Sequence, residues 1–323
     1  MFGVTILGNN SALPAFDRHP TAQVVTLGDQ QFMVDCGEGT QMQMARYKIR
    51  HSRISRIFIS HLHGDHYFGL IGLLTSMGLL SREQPLHLHA PPGLIDIIQL
   101  QLKVADTVLP YELIFHPLSE EGTIVLEEKL SVSCFRVFHR IECWGFVFRE
   151  RKNPRKIDRD KAVAYGVPAA FYDRLKKGED YTNKKGEQIL NEWVTVPNRA
   201  PLSYAYCADT VYKPALCAHL QHVNLLYHET TYLADLEERA MSRFHSTTHQ
   251  AAAMALEAGV HRLLIGHFSS KYDKLDAFLE ETQSIFPATE LALEGCTFLV
   301  GAASPFSNNA AFEKEQNSGV TTS

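Results

Sequence analysis

A histidine-rich turn, His61-Leu62-His63-Gly64-Asp65-His66, limits the folds open to this chain more than any other feature of the sequence. Residues 55–60, before it, alternate and are partly β-branched, which predicts a buried strand. Residues 67–80, after it, are almost continuously apolar, which predicts a helix. The turn therefore lies at the carboxyl end of a strand, and α/β proteins place their functional sites at that edge of a sheet.

The side chains of this turn have the chemistry and the spacing of metal ligands. Imidazole nitrogen and carboxylate oxygen are the ligands that zinc accepts where thiolates are absent. His61 and His63 lie two residues apart, so on an extended segment they face the same way and can bind one metal. Asp65 and His66 begin the helix and can point at a second metal. The alternative is a histidine-rich surface turn, and the ordered spacing disfavours it.

The composition is that of an ordinary globular protein. The 323 residues are 45% hydrophobic and 21% charged, which allows a substantial core in one large α/β unit. The net charge of −5 gives no global sign of nucleic-acid binding. No run of about eighteen apolar residues predicts a membrane span, and the N-terminus lacks the pattern of a signal peptide. The six cysteines are scattered, which favours reduced thiols and a cytoplasmic location.

Strand-like and helix-like segments alternate in two halves of the chain, on either side of a charged stretch at 150–198. Because both halves are mixed, we predict an α/β fold in which two sheets pack face to face with helices outside, an αββα sandwich. We expect one domain over residues 1–301, with 150–198 inserted in it and a disordered tail at 302–323. The predicted strands are 4–7, 22–27, 31–35, 56–60, 86–90, 113–117, 123–127, 130–137, 145–149, 202–207, 224–229, 262–266 and 291–292, and the predicted helices are 40–49, 66–80, 95–102, 248–258 and 275–285.

Further ligands must come from elsewhere, because the four side chains of the turn cannot hold two catalytic metals. Three residues stand where a predicted strand ends, namely His139, Asp209 and His267. Each alone would more often be structural, but with the turn they form a coherent set. We therefore predict two zinc ions bridged by Asp209, with the other ligands divided as His61, His63 and His139 on one ion and Asp65, His66 and His267 on the other.

Such a pair of metals indicates hydrolysis of a phosphate ester. Two cations about 3.5–4 Å apart clamp the attacking and leaving oxygens of a phosphate displacement, and they lower the pKa of bound water from about 15.7 towards about 7. The expected nucleophile is a hydroxide between the metals. Asp65 can hold the proton of that hydroxide as a general base.

Longer motifs resemble a known family. The His-x-His-x-Asp-His pattern with the later His, Asp and His resembles the metallo-β-lactamase superfamily, which implies a metallo-β-lactamase-like fold. The finer motifs, which extend the resemblance from about residue 3 to 300, are similar to those of ribonuclease Z, the tRNA 3′-end processing endoribonuclease. They are Gly-Asn-Asn-Ser-Ala-Leu-Pro at 8–14, Asp-Cys-Gly-Glu-Gly-Thr-Gln at 35–41, His-Leu-His-Gly-Asp-His-Tyr-Phe-Gly-Leu at 61–70, His-Glu-Thr-Thr-Tyr at 228–232, His-Ser-Thr-Thr at 245–248 and Gly-His-Phe-Ser-Ser-Lys-Tyr at 266–272.

The resemblance implies a zinc-dependent endoribonuclease that cuts precursor tRNA after the discriminator base. The products would be a tRNA with a 3′-hydroxyl and a trailer with a 5′-phosphate. The resemblance also implies the seven ligands above, the base role of Asp65, a proton-donor role for His245 and an orienting role for Glu229. Two positions depart from the family pattern: Ala208 stands where a glycine usually precedes the bridging Asp, and Thr230 replaces an alanine.

The charged stretch is locally basic although the whole protein is acidic. Residues 149–161 hold seven basic and three acidic side chains, and a second cluster includes Lys176 and Lys177. Such charge usually marks a solvated loop, but Gly166-Val167-Pro168, between the clusters, resembles the Gly-x-Pro element of the family's protruding arm. The resemblance implies that these five residues contact the tRNA elbow, and that in a homodimer the arm serves the partner's active site.

Two rival functions stay open on the sequence alone. Another superfamily hydrolase, such as a cyclic-nucleotide phosphodiesterase or an arylsulfatase-like enzyme, would act on a small substrate and would have no use for a basic arm. A non-catalytic, metal-stabilised RNA-binding protein would have no need of Asp65, Glu229 and His245.

Overall fold

Eighteen strands lie in residues 1–302, the part of the chain that the structure, a computed structural model, describes. The predicted tail at 302–323 lies, apart from its first residue, outside the described residues. The strands are β1 (Phe2–Gly8), β2 (Ala22–Leu27), β3 (Gln30–Cys36), β4 (Ile54–Phe58), β5 (Leu86–Ala90), β6 (Leu113–Pro117), β7 (Gly122–Leu126), β8 (Leu130–Arg136), β9 (Trp144–Glu150), β10 (Arg155–Ile157), β11 (Tyr181–Thr182), β12 (Gln188–Ile189), β13 (Thr195–Pro197), β14 (Ser203–Cys207), β15 (Leu225–Glu229), β16 (Leu263–Gly266), β17 (Thr289–Leu291) and β18 (Thr297–Leu299).

The same residues form eleven α-helices and four short 3₁₀-helices. None of these helices combines the length and the apolar character needed to cross a bilayer. The α-helices are α1 (Thr40–Arg46), α2 (Gly64–Tyr67), α3 (Leu70–Leu79), α4 (Gly93–Val104), α5 (Arg159–Ala164), α6 (Tyr172–Lys176), α7 (Asn191–Val194), α8 (Cys217–Leu220), α9 (Glu237–Arg243), α10 (Thr248–Glu257) and α11 (Asp276–Ile285), and the 3₁₀-helices are His51–Arg53, Ala169–Phe171, Pro214–Leu216 and Ala234–Leu236.

Two seven-stranded mixed sheets form the centre of the fold. The first has the order β18-β1-β2-β3-β4-β5-β6, antiparallel from β18 to β3 and parallel from β3 to β6. The second has the order β17-β16-β15-β14-β9-β8-β7, with β14 to β17 parallel. Strands β14, β15 and β16 are buried along their whole length, as expected for parallel strands covered on both faces. The predicted α/β class is confirmed.

The two sheets pack through aromatic side chains. The ring of Phe58, on β4, lies 5.4 Å from the rings of Phe146 and Phe148, on β9. Such ring pairs add about 0.5–1.5 kcal/mol each beyond the burial of their area. Apolar residues of α1, α3 and α4 pack against the other face of the first sheet, and α10 and α11 contact strands of the second. The order of layers is therefore helix, sheet, sheet, helix, as predicted.

Helices α5 to α9 were not among the predicted elements, and one predicted helix is interrupted. The predicted helix at 66–80 is broken into α2 and α3, because Gly69 approaches the turn after β3. The N–H of Gly69 donates to the carbonyl of Cys36, outside the helix, at 2.9 Å, and only glycine allows this approach because a Cβ would lie 2.2 Å from the carbonyl oxygen of Gly37. Helix α9 was not among the predicted elements, because Ala240 is its one buried residue and it carries no apolar period.

The described chain divides into two compact units, and the smaller one consists of Leu126–Ser131 and Arg149–Pro201. This unit has a small apolar core of its own, so the charged stretch is folded and is not a solvated loop. Full burial of a Val, Leu or Ile side chain stabilises a fold by about 1.5–3 kcal/mol. The buried members of the core are Ala162, Val167, Leu175, Ile189 and Val194.

Candidate metal centre

Nine side chains with predicted functional roles lie together in the larger unit, eight of them at or just beyond the carboxyl ends of β4, β8, β14, β15 and β16 and His245 in the turn between α9 and α10. Parallel neighbours such as β14, β15 and β16 bring their carboxyl ends to one edge, which explains how residues so distant in sequence meet. The nine are His61, His63, Asp65, His66, His139, Asp209, Glu229, His245 and His267.

The first group surrounds Nδ1 of His63. That nitrogen lies 3.0 Å from Nε2 of His61 and 3.1 Å from Nε2 of His139. Oδ2 of Asp209 lies 3.6 Å from Nε2 of His61 and 3.9 Å from Nε2 of His139. Three nitrogens and one oxygen therefore face a common centre.

The second group is held together by the other oxygen of the same aspartate. Oδ1 of Asp209 lies 3.5 Å from Nε2 of His66 and 3.3 Å from Nε2 of His267. Oδ2 of Asp65 lies 3.6 Å from Nε2 of His66 and 3.5 Å from Nε2 of His267. The two groups contain the same residues as the two predicted ligand sets, with Asp209 between them, and metal binding itself stays a prediction.

A buried carboxylate, Asp35, orients two of these imidazoles. Nδ1 of His66 donates to Oδ2 of Asp35 at 2.7 Å. The hydroxyl of Ser60 also donates to Asp35, at 2.9 Å, and its oxygen is then free to accept from Nδ1 of His61 at 3.0 Å. With both Nδ1 atoms engaged in this way, the Nε2 atoms of His61 and His66 point into the cluster.

Glu229 plays the same part on the opposite side. Its Oε1 accepts from Nδ1 of His245 at 3.1 Å. Its Oε2 accepts from the hydroxyl of Thr231 at 2.8 Å, and the Thr231 oxygen lies 2.9 Å from Nδ1 of His267. His139 is oriented by the backbone instead, because its Nδ1 donates to the carbonyl of Phe244 at 2.9 Å. The Nε2 atoms of His139 and His267 are therefore acceptors as well.

This arrangement fits divalent cations. Acceptor atoms face one another across the cluster, and some of them have no hydrogen-bond partner among the described residues, which costs about 1–3 kcal/mol for each buried polar group. A cation between acceptors removes that cost, and nitrogen with carboxylate oxygen is the donor mixture of zinc sites. The atoms without a partner are Nε2 of His66, Nε2 of His267 and Oδ1 of Asp209.

The protonation states agree with this interpretation. Burial, and after it the neighbouring His139, lower the pKa of His63 to about 4, so His63 is neutral at pH 7. Burial by itself would raise the pKa of Asp209, but His267 and His66 outweigh burial and hold it well below its usual range. His66 differs from His63, because Asp209, Asp65 and Asp35 outweigh its burial and raise its pKa, so a cation bound at Nε2 of His66 would replace a proton there.

His245 has the opposite property from the neutral imidazoles. Burial alone would lower its pKa, but the adjacent carboxylate of Glu229 outweighs burial and raises the pKa to about 9. At neutral pH His245 therefore carries a proton, and its Nδ1 lies 4.0 Å from Oδ2 of Asp209. A charged imidazole next to a group of acceptors is a candidate general acid.

Three of the ten non-glycine residues with positive φ in residues 1–302 belong to the cluster or its supports. Asp35, His267 and Phe244 adopt left-handed conformations, with φ of 57°, 62° and 61°. Such conformations cost about 1–3 kcal/mol each in residues other than glycine and tend to gather at functional sites. Asp35 is held in place by four hydrogen bonds, including one of 2.5 Å from the hydroxyl of Tyr206.

A cavity of about 580 Å³ opens over the cluster. Several of the proposed metal ligands line this cavity together with His245. Residues 11–14, Ser269 and Ser270 also line it. Three arginines, Arg140, Arg239 and Arg243, also line it. The cavity can therefore accept an anionic group of considerable size.

The five predicted substrate contacts on the arm lie in the smaller unit. Gly166 ends α5 in a left-handed conformation, with φ of 66°, while the N–H of Val167 bonds back to the carbonyl of Ala162 at 2.9 Å. Val167 is buried in the core of its unit, whereas Gly166 and Pro168 are exposed. Both predicted lysines are at the surface of α6 or beside it, Lys176 in an ion pair with Asp173 and Lys177 exposed.

Three residues important to the geometry had no predicted role, namely Asp35, Ser60 and Thr231. Each is a buried polar residue at or just after the end of an apolar strand, and this position was the available signal. Their partners are imidazoles as far as 36 residues away, so the sequence does not reveal what they orient.

Comparisons with known proteins find similarity over almost the whole chain. Ribonuclease Z of Bacteroides fragilis is 44% identical over 295 residues, which cover 91% of this chain and 97% of that protein. The crystal structure of human tRNase Z, short form, is 26% identical with a TM-score of 0.69, and the match covers 93% of this chain and all of that one.

Two further matches are less specific. The metallo-β-lactamase fold protein YhfI of Bacillus subtilis has a TM-score of 0.65 at 17% identity, covers 92% of this chain and 98% of that one, and shows the fold alone. A family model described as Anti-Pycsar protein Apyc1 matches residues 2–153, which is less than half of the chain.

Proposed function

This chain belongs to the ribonuclease Z family, and from that premise we propose that it removes the 3′ trailer of precursor tRNA at the candidate metal centre. Family membership makes it an endoribonuclease, a hydrolase that acts on phosphodiester bonds, and its fold is that of the metallo-β-lactamases. The predicted family and fold are confirmed. In the proposed reaction the tRNA keeps a 3′-hydroxyl and the trailer keeps a 5′-phosphate.

One observation carries the proposal: a protonated imidazole and a cluster of acceptor imidazoles share one cavity. Cleavage of a phosphodiester expels a ribose 3′ oxygen, which needs a proton, and builds charge on the phosphoryl oxygens, which needs an electrophile. His245 has the proton, since Glu229 raises its pKa to about 9. The acceptor cluster can hold the electrophile.

We propose two Zn²⁺ ions per chain as that electrophile. When bound, such cations stabilise charge on the phosphoryl group and lower the pKa of bound water. The donors suit zinc because imidazole nitrogens outnumber carboxylates and no thiolate is present among them. The proposed holders are His61, His63, His139 and Oδ2 of Asp209 for one ion, and Asp65, His66, His267 and Oδ1 of Asp209 for the other.

The protein's own side chains handle the protons. Asp65, whose Oδ2 accepts from the N–H of Ala12 at 2.7 Å, is the proposed acceptor of a proton from the attacking water. As the new oxygen–phosphorus bond forms and the bond to the 3′ oxygen breaks, His245 gives that oxygen a proton. The Nδ1–H of His245 is held by Glu229, so the transferred proton comes from Nε2.

The smaller unit supports an RNA substrate over a small ester. Residues 149–201 contain 13 basic and 8 acidic side chains, whereas the whole chain has a net charge of −5. This local excess of positive charge complements a phosphate backbone. The proposed contacts are Gly166, Pro168, Lys176 and Lys177, with Val167 restricted by its burial to contacts through its backbone.

The proposal predicts cleavage at one position of a precursor tRNA. We expect the purified protein, loaded with Zn²⁺, to cut directly after the discriminator base. Mapping of both product ends would reveal a 3′-hydroxyl on the tRNA and a 5′-phosphate on the trailer. If the protein hydrolysed small diesters or sulfate esters but left precursor tRNA uncut, the proposal would be contradicted and the rival small-substrate hydrolase favoured.

The arm is proposed to act in RNA binding and not in chemistry. Strands β10 and β13 pair antiparallel, with Ile157 opposite Thr195, so residues 158–194 can be replaced by Asn-Gly to close a two-residue hairpin. We expect kcat/KM for precursor tRNA to fall by about 100-fold, mainly through KM, and hydrolysis of bis(p-nitrophenyl) phosphate to stay unchanged. The double variant Lys176→Ala, Lys177→Ala, with the arm intact, should show a smaller loss of the same kind. Equal loss on both substrates would contradict the assignment.

A homodimer and a cytoplasmic location complete the proposal. The homodimer is supported by similarity to the family, the location is supported also by the scattered cysteines, and both stay predictions. Sedimentation equilibrium of the purified chain measures the first directly.

A further inference from the structure

Two arginines of the cavity wall have no assigned role. Arg239 and Arg243 lie four residues apart on α9, which places them on the same face of the helix, about 6 Å apart along its axis. Both side chains are exposed, and within residues 1–302 neither forms an ion pair with a carboxylate. Arg140, the third arginine, differs because it contacts Nε2 of His63 at 2.8 Å. The guanidinium of Arg239 lies over the ring of Tyr232, 5.8 Å from its centroid, and both arginines line the cavity without a carboxylate partner among the described residues.

Helix α9 is fixed to the candidate metal centre at its carboxyl end. The N–H of His245 bonds to the carbonyl of Ala240 at 2.8 Å, and the carbonyl of Phe244 accepts from Nδ1 of His139 at 2.9 Å. The left-handed conformation of Phe244 turns the chain so that His245 faces the cluster. The arginines thus keep a constant position relative to the general acid.

The position of His245, the proposed general acid, indicates which part of an RNA substrate the two arginines contact. His245 protonates the leaving 3′ oxygen, so the ribose that carries this oxygen lies beside His245. That ribose belongs to the tRNA side of the cut, and its own 5′ phosphate is the next anion along the chain. Since α9 leads directly into His245, its arginines lie on the tRNA side and away from the trailer.

We propose that Arg239 and Arg243 bind the backbone phosphates immediately 5′ of the cleaved bond, and so position the retained end of the tRNA. Guanidinium groups suit this task because they bind phosphate oxygens through paired hydrogen bonds and stay charged. This inference rests on the proposed function and adds to it the residues that hold the substrate in register.

The test uses precursor tRNAs in which single phosphates are replaced by neutral methylphosphonates. For the wild-type protein, we expect neutralising the first phosphate 5′ of the cut to lower kcat/KM by about tenfold. For the double variant Arg239→Ala, Arg243→Ala, kcat/KM on the unmodified RNA should fall by a similar factor or more, through a higher KM. The methylphosphonate substitution should then cause little further loss in that variant. Arg239→Lys, Arg243→Lys, which keeps the charges, should recover most of the affinity, and Arg53→Ala, an exposed arginine outside the cavity, should behave as wild type.

A binding measurement separates this inference from the proposed function. The affinity of the mature tRNA product should fall in the alanine double variant, while the affinity of the trailer oligonucleotide should not change. The inference would be overturned, even in a protein that cleaves precursor tRNA, if the effects of the double variant and of the 5′ methylphosphonate on kcat/KM were independent. It would also be overturned if the double variant were sensitive instead to phosphates 3′ of the cut. A wild-type protein that leaves precursor tRNA intact and binds its product no better than the double variant would overturn both.

Discussion

Replacing Asp209 with alanine is expected to lower kcat/KM for precursor tRNA by at least about 10³-fold, equivalent to about 4 kcal/mol of transition-state stabilisation. The two oxygens of Asp209 face the two groups of imidazoles, at 3.3–3.9 Å from four different Nε2 atoms. Its removal takes one ligand from each proposed metal at once. It also removes a negative charge that offsets the charge of the two cations. Loss of a residue that only orients a ligand already costs about 10–100-fold in metal affinity, and loss of a shared ligand costs more.

Metal content distinguishes this cause from a general loss of structure. Elemental analysis after dialysis should give two zinc ions per chain for wild type and no more than one for Asp209→Ala. Asp209→Asn keeps the shape of the side chain but not its charge, and we expect it to lose metal as well. Asp96→Ala, which removes an exposed carboxylate from α4, is the matched control and should keep both ions. Full metal content with full turnover in Asp209→Ala would refute the two-metal proposal.

Replacing His245 with alanine is expected to lower kcat for precursor tRNA by about 10³-fold while the affinity for the RNA stays within a few-fold. The general acid contributes about 10²–10⁴-fold where the leaving group is a poor one, and a ribose 3′ alkoxide is such a leaving group. His245 is not a member of either predicted ligand set, so metal content should stay as in wild type. The expected defect is therefore in chemistry and not in binding or folding.

A change of leaving group isolates the proton transfer. The p-nitrophenolate of bis(p-nitrophenyl) phosphate departs without a proton, so His245→Ala should hydrolyse this diester nearly as fast as wild type. A precursor tRNA with sulfur in place of the leaving 3′ oxygen should be rescued in the same way. If the variant is equally defective on all three substrates, His245 has a structural role and the assignment of a general acid is wrong.

Part of the site was accessible from the sequence because polar residues interrupt apolar strands at definite points. The run Leu-Leu-Ile-Gly of β16 stops at His267, and the strand that ends at Cys207 is followed by Asp209. Parallel strands must align their carboxyl ends, so residues at such points meet whatever their separation in the chain. The residue types, imidazole and carboxylate, then limited the chemistry to metals and protons.

Other parts were not accessible because they depend on contacts between distant segments. Gly69 breaks a helix only because Gly37 lies against it. The charged stretch has a buried core because Val167 and Leu175 meet Val194 across loops that carry no regular period. Local pattern gives no signal of such contacts.

By itself, the sequence determined the fold class, the family and the residues that could act, because strand periodicity and the order of ligand types are local properties. Only the tertiary structure decided which way each imidazole points. Asp35 and Glu229 each fix one histidine directly and another through a hydroxyl, and these hydrogen bonds turn the Nε2 atoms inward. Direction in space depends on partners from other strands, and a linear pattern does not contain it.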